Sequence, residues 1–368
     1  MRTEYAVVGG GITGLSAAWA LARRGREFSV FDLAAVGHRG GGSHGACRVF
    51  RRGYDDPAYV LLAARARVLW DELEETSGER LLHPTPQLTF GPQMPLVRAA
   101  MQAAGAACEL IAAGESVARF PGVRVTGEVL VEPESAVISA DRSLAALAAL
   151  AGAAGAVSAD MPVTALADDG RRVLLSTTAG DVEAARVIVC AGPWTAGLLA
   201  GAGIAVPGSA TLEQVAYLVP AGQRAAGQPP AMPIFIHHGG EIPYGLPVPG
   251  SDRYKVGIHH GGPPIDPDLR DHGADPVLGE RIELAARTFL PGFDPRPAEV
   301  ERCVYDNSPD TDFIVDRIGN LVIGSGTSGH GFKFGPLLGE WLAELAADEV
   351  GEVARYGAKF GLGRFHGR

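Results

Sequence analysis

The alternation of apolar and polar positions divides the chain into short regular units. Residues 5–8 (Tyr-Ala-Val-Val) form an apolar run of strand length. Glycines at 9, 10 and 11 follow, then an alanine- and leucine-rich run of helical length through Arg24. That order predicts a strand, a tight turn and a helix. Residues 28–31 predict a second strand that ends at Asp32. Residues 57–76 set Leu61, Leu62, Val68, Leu69 and Leu73 at helical spacing, with Tyr59 and Trp70 as core residues. Residues 81–90 read as short β runs, 96–112 as helix and 120–137 as β again. Asp141 precedes an Ala/Leu helix and is expected to cap it.

Further along, residues 163–166, 172–176 and 187–190 predict a strand series. The last is apolar throughout, as at the centre of a parallel sheet. A tight turn at 191–194 leads into another helix. Residues 211–258 are strand- and turn-rich, a second sheet with Tyr244, Tyr254, Lys255, His259 and His260 as its polar and aromatic handles. On a strand, Lys255 and His259 share a face and His260 points away. Residues 279–289 are helical, 313–316 and 321–324 are strands, and Pro336 opens a C-terminal helix.

Gly9, Gly11 and Gly14 fit the spacing G-x-G-x-x-G, and Asp32 stands 18 residues after Gly14. In such a unit the first glycine makes the turn, the second admits a pyrophosphate and the third lets helix pack on strand. The helix N-terminus favours phosphate, and the acid can accept from a ribose hydroxyl. The reading is a dinucleotide site. A second glycine loop, 324–335, also feeds a helix. Two such ends suit a ligand with two polar ends, such as FAD.

Composition narrows the class. The 368 residues imply two domains. A net charge of −10 argues against nucleic acid and acidic membranes as partners. No long apolar span and no basic-then-apolar leader is evident, so export is not expected. Cys47, Cys108, Cys190 and Cys303 are scattered, without zinc spacing, and no metal site is expected. Of the 32 basic residues only Lys255, Lys333 and Lys359 are lysines, so a lysine here departs from habit. The glycine-rich residues 37–45 run into Arg48, Arg51 and Arg52. Arg48 and Arg51 are three apart, so a helical turn would set them on one face.

Three segments go further: residues 43–54 (SHGACRVFRRGY), 303–310 (CVYDNSPD) and 328–334 (SGHGFKF). With the first glycine motif they resemble the family of monomeric sarcosine oxidase, N-methyltryptophan oxidase and pipecolate oxidase, over residues 5 to about 345. The resemblance implies an α/β fold with an α+β second domain. A glutathione-reductase-type FAD-binding Rossmann domain (residues 1–80, 139–206 and 301–368) joins a mixed-sheet substrate domain (residues 81–138 and 207–300). It implies oxidation of a secondary amino or imino acid, N-methyl or cyclic, with hydride passing to FAD and dioxygen returning it with release of hydrogen peroxide and an imine.

Carried over residue by residue, Cys303 matches the cysteine bonded to the flavin. Arg51 and Lys333 match the pair that grips the substrate carboxylate, and Lys255 matches the lysine where dioxygen is reduced. His259, Tyr244 and Tyr305 match active-site positions. Gly9, Gly11, Ile12, Thr13, Gly14, Asp32, Ser43, His44, Arg48, Val163, Gly329, His330, Gly331 and Lys333 are the other expected cofactor contacts. The chain is expected to be a cytoplasmic monomer. Cys47 stands where the family tends to have threonine, and Pro86 where glycine is common, so the resemblance leaves the substrate open. A dehydrogenase with another electron acceptor and a non-catalytic FAD-binding protein are the alternatives; peroxide yield separates the first, turnover the second.

Overall fold

The structure, a computed structural model, describes residues 1–222, 232–269 and 273–365. Strand β1 (Arg2–Val8), helix α1 (Ile12–Arg23) and strand β2 (Phe28–Phe31) form a parallel crossover unit, with Val8 in register with Phe31. The Gly180–Val189 strand, apolar at its end, lies on the other side of β1, in parallel, and also pairs in parallel with Leu321–Ser325. These strands form the middle of an eight-stranded sheet, and their carboxyl ends stop level with one another. In such sheets ligands bind beyond those ends. Helix α1 is buried from Ile12 to Leu21, packed against the C-terminal helix Gly335–Ala346 in one core.

A nine-stranded sheet makes the second layer. Near one edge runs the Ser209–Leu218 strand, flanked antiparallel by Tyr254–His259 and by Glu299–Asn307. This places Lys255 across from Tyr217 and Cys303 across from Glu213. A three-stranded sheet, with strand β3 (Cys47–Phe50) pairing Ala136–Ser139 and that strand pairing Leu82–Pro84, completes the strand pairing.

Several expectations change. The boundary expected at residue 301 falls within Glu299–Asn307, whose hydrogen bonds put residues 301–307 in the second sheet. The helix expected over 96–112 is Met94–Ala103; the chain then turns into the strand Glu109–Ile111, which pairs with Val129–Glu132. Asp141 is no cap: the helix begins at Ala140, and the Asp141 carboxylate accepts from the Gly45 N–H at 2.7 Å. In the helix Pro57–Ser77 the buried stripe runs through Tyr59, Leu62, Ala66, Leu69 and Leu73, while Leu61 and Val68 stay exposed. Its start is fixed by Asp56, which accepts from the Ala58 N–H at 2.8 Å, with Pro57 in the first turn.

Candidate active site

One cavity of about 1060 Å³ runs from the carboxyl ends of β1 and β2 to the second sheet. At its first end the chain's backbone does the shaping. Gly9 has φ +107°, and a Cβ there would lie 2.2 Å from the Cys190 carbonyl oxygen. A Cβ on Gly14 would lie 1.9 Å from the Gly9 carbonyl oxygen. Gly14 does not line the cavity; it lets α1 settle onto the turn, as a third glycine should. Gly11, Thr13 and Val163 line the wall, and the Ile12 N–H donates to Ser43 Oγ at 3.0 Å. Asp32 is buried at the end of β2. Its Oδ1 accepts from the Leu33 N–H, while Oδ2 is buried with no hydrogen-bond partner among the described residues. A bare cradle and an orphaned carboxylate oxygen fit the adenosine diphosphate half of FAD, whose ribose hydroxyls are donors.

Midway along the cavity lie Arg48, His44, Cys303 and Lys255. Arg48 sits on β3, not on a helical turn, because β3 pairs with Ala136–Ser139. Its guanidinium folds back to donate to the carbonyls of Gly42 (3.0 Å) and His44 (2.5 Å). His44 Nε2 lies 2.9 Å from the Arg302 carbonyl. A carbonyl only accepts, so Nε2 carries the hydrogen, and Nδ1 is a buried acceptor without a partner among the described residues. Burial pushes the Cys303 thiol up, against the pull of Arg48 and Lys255. Lys255 is buried and its Nζ donates to the Cys47 carbonyl at 3.2 Å. Burial first, and Arg48 second, lower its pKa.

At the far end two cations meet. Glu132, buried, accepts from the Arg52 and Gly53 N–H groups and so fixes the bend after β3. Arg51 leaves that bend with its guanidinium 4.1 Å from the Tyr54 ring centre, and its Nη1 is buried without a partner among the described residues. Lys333 Nζ donates to Tyr54 Oη at 2.9 Å and to the His330 carbonyl at 2.8 Å. His330 Nε2 faces the Thr311 carbonyl at 3.0 Å, so it bears the hydrogen, and Nδ1 accepts from the Tyr54 hydroxyl at 3.2 Å. Burial, then Lys333, push His330 down to about 3. Burial, then Arg51, hold Lys333 well below the usual lysine range. Neither Arg51 nor Lys333 pairs with a carboxylate among the described residues. Two such cations beside one space are a receptor for a carboxylate.

Tyr244, His259 and Tyr305 line the same end. His259 Nδ1 is 3.3 Å from Tyr305 Oη, and burial holds its ring well below the usual histidine range. His260 does not point away as expected. The strand stops at His259, His260 turns with φ +54°, and its ring lies tilted against that of His259, 4.2 Å between centres. Gly329, Gly331, His330 and Lys333 complete the wall, ahead of the helix Gly335–Ala346.

Every sequence-predicted site residue except Gly14 therefore borders one cavity. Tyr54, Glu132 and Glu301 were missed. Glu301 could have been found: it precedes Cys303 by an even step on a strand, and so shares its face.

Comparison with known proteins sharpens the picture. A family model described as FAD dependent oxidoreductase matches residues 4–345. The chain is 32% identical to peroxisomal sarcosine oxidase of Homo sapiens over 361 residues, 92% of this chain and 91% of that protein. It is 31% identical to N-methyl-L-tryptophan oxidase of Escherichia coli, with 95% and 96% covered. Among solved structures, NikD, described as an unusual amino acid oxidase essential for nikkomycin biosynthesis, superposes with a TM-score of 0.85 at 26% identity, covering 96% of each chain.

Proposed function

We propose, from the premise that this chain belongs to the FAD dependent oxidoreductase family, that it oxidises a secondary amino acid, N-methylated or cyclic, with dioxygen as acceptor. The observation that carries this reading is the meeting of Arg51, half-buried, and Lys333, buried, around Tyr54, neither of them in an ion pair among the described residues. Bound FAD would take a hydride from the carbon beside the substrate nitrogen and give the electron pair to dioxygen, leaving hydrogen peroxide and an imine that water hydrolyses.

The chain's own residues do the rest. The turn at residues 9–13 and Asp32 hold the dinucleotide end. Arg51 and Lys333 grip the substrate carboxylate through charge-assisted hydrogen bonds, which orients the amine. His259, neutral and held by Tyr305, offers its ring as a hydrogen-bond partner without adding charge. Lys255 sets a fixed cation where negative charge grows as dioxygen is reduced. Cys303 would hold the cofactor covalently through its sulfur. The enzyme works as a cytoplasmic monomer; four free cysteines support a reducing compartment.

The test is anaerobic mixing of the yellow protein with a panel of N-methyl and cyclic amino acids, followed by air. Bleaching by one class, then recovery with one peroxide per turnover, is expected. Recovery only with an added electron carrier would replace the oxidase by a dehydrogenase, and no bleaching with any member would remove the reading.

A further inference from the structure

One buried acid at the middle of the cavity has no part in the reading above. Glu301 is 8% exposed and lies on the Glu299–Asn307 strand. Its Oε2 accepts from Tyr217 Oη at 2.7 Å, and its Oε1 is 3.9 Å from His44 Nε2. Tyr217 stands directly across from Lys255 on the neighbouring strand, and Lys255 Nζ is 5.7 Å from its ring centre. Arg253 also lies over that ring, 4.6 Å from its centre, and is itself paired with Glu299.

The charges around Lys255 do not balance without Glu301. Lys255 Nζ has a neutral acceptor, the Cys47 carbonyl, as its hydrogen-bond partner. Arg48 faces it and spends its own donors on the carbonyls of Cys47, Gly42 and His44. Cys47 and Cys303 border the same space with thiols that burial keeps protonated. A buried wall holding two cations and no anion would shed the proton of the weaker one, the lysine. Asp141 is committed to the Gly45 N–H and exposed, and Glu213, buried across from Cys303, is committed to Thr211 Oγ1 and the Gly261 and Gly262 N–H groups. Glu301 is the buried carboxylate that acts on Lys255, Arg48 and His44 together; the Tyr217 hydrogen bond first, then those three, hold it ionised against its burial.

We infer that Glu301, anchored by Tyr217, is a positioning residue that keeps Lys255 in its ammonium form at the cofactor wall. The inference rests on the reading of Lys255 as the cation that assists dioxygen. A second cavity of about 490 Å³ touches Glu301 and His44 and reaches Arg39 and Asp141, both exposed. It is wide enough for water, so the carboxylate can exchange protons with solvent.

The experiment compares wild type, Glu301→Gln, Glu301→Asp, Tyr217→Phe and Lys255→Met as flavin-loaded proteins between pH 6 and 10. Two quantities are read: the rate at which air reoxidises the reduced flavin, and the pH midpoint of the oxidised flavin's visible spectrum, which senses nearby charge without turnover. In Glu301→Gln both midpoints move down by about one pH unit, a loss of roughly tenfold in reoxidation rate above them. Glu301→Asp falls between, Tyr217→Phe moves the same way by less, and the rate of reduction by substrate is unchanged in all three. Wild-type midpoints in Glu301→Gln, or in Tyr217→Phe should the first variant not fold, would overturn the inference. Lys255→Met separates the two claims. Fast reoxidation there removes the role of Lys255; slow reoxidation there with unmoved Glu301→Gln midpoints removes only the role of Glu301.

Discussion

The two ends of the cavity are built on opposite principles. The glycine turn with Asp32 is one continuous crossover unit, shaped by backbone and by the absence of side chains. The other end gathers Arg51, Tyr54, His330 and Lys333 from the two ends of the chain and is made of buried polar and charged groups. The first stores little when empty, since a turn that fits costs little and only one oxygen of Asp32 waits for a donor. The second holds a buried lysine and a half-buried arginine that make no ion pair and have only the more distant Glu132 as counter-charge, which opposes folding until a ligand carboxylate arrives. Damage to the first should therefore act on the fold and on cofactor uptake together. Damage to the second should act on chemistry and leave the fold intact.

The sharpest way to break this contrast is Gly14→Ala. Its Cβ would lie 1.9 Å from a main-chain oxygen, so α1 must lift off the turn. Overpacking against rigid backbone costs several kcal/mol, about 3 or more. The variant is expected to lose FAD affinity by at least about 100-fold and to melt well below the wild type. The measurements are the flavin-to-protein absorbance ratio and a thermal melt. A stoichiometric yellow protein would show that the turn tolerates a side chain.

Arg51→Met and Lys333→Met test the other half. Each removes a charge-assisted contact to the substrate, worth roughly 1.5–3 kcal/mol, so kcat/KM should fall on the order of 100-fold. Flavin content should match the wild type. The melting temperature of the substrate-free protein should stay level or rise, more so for Lys333→Met, because a charge without an ion pair, buried at Lys333 and half-buried at Arg51, is gone. A large drop in melting temperature would mean that these cations serve the fold.

The same contrast governs what could be read from residues alone. The cradle was legible because turn, helix and acid follow one another, and local rules fix the shape. The pairing of Arg51 with Lys333 was reached through a family resemblance, since nothing in spacing joins positions so far apart. Arg48 and Arg51 were set on a helical turn by their spacing, whereas partner strands made that segment β3. Alternation correctly set Lys255 and His259 on one face, but it has no way to see that the strand ends and lets His260 curl back. Tyr54 and Glu132 act through contacts across the fold, which a linear pattern does not record.

A milder change lies between the two ends. Cys303→Ala removes the sulfur but leaves the cradle, so the protein should still bind FAD and turn over within about tenfold of wild type. The readout is a denaturing gel: flavin fluorescence stays with the wild-type band and runs free for the variant. Free flavin in both would end the proposed thioether.

The smallest effect comes from His330→Gln, and its sign is fixed. Burial and Lys333 push the folded His330 down to about 3, whereas an unfolded histidine titrates near 6.5. Between those values the unfolded chain holds a proton that the folded chain lacks, so stability is complete above pH 6.5 and declines as pH falls toward 3. Asp306 works the other way. Burial raises it to about 6, so the folded state holds a proton there and gains stability on acidification. The two trends partly cancel in the wild type, and only a difference between proteins isolates the histidine. Melts of wild type and His330→Gln should therefore differ by a constant amount from pH 7 to 9, set by the lost Tyr54 and Thr311 hydrogen bonds. Below pH 6.5 the gap should close and then favour the variant. A gap that stays constant down to pH 4 would show that His330 takes up its proton in the folded state, and that the acid-binding end is more open to water than the cradle beside Asp32.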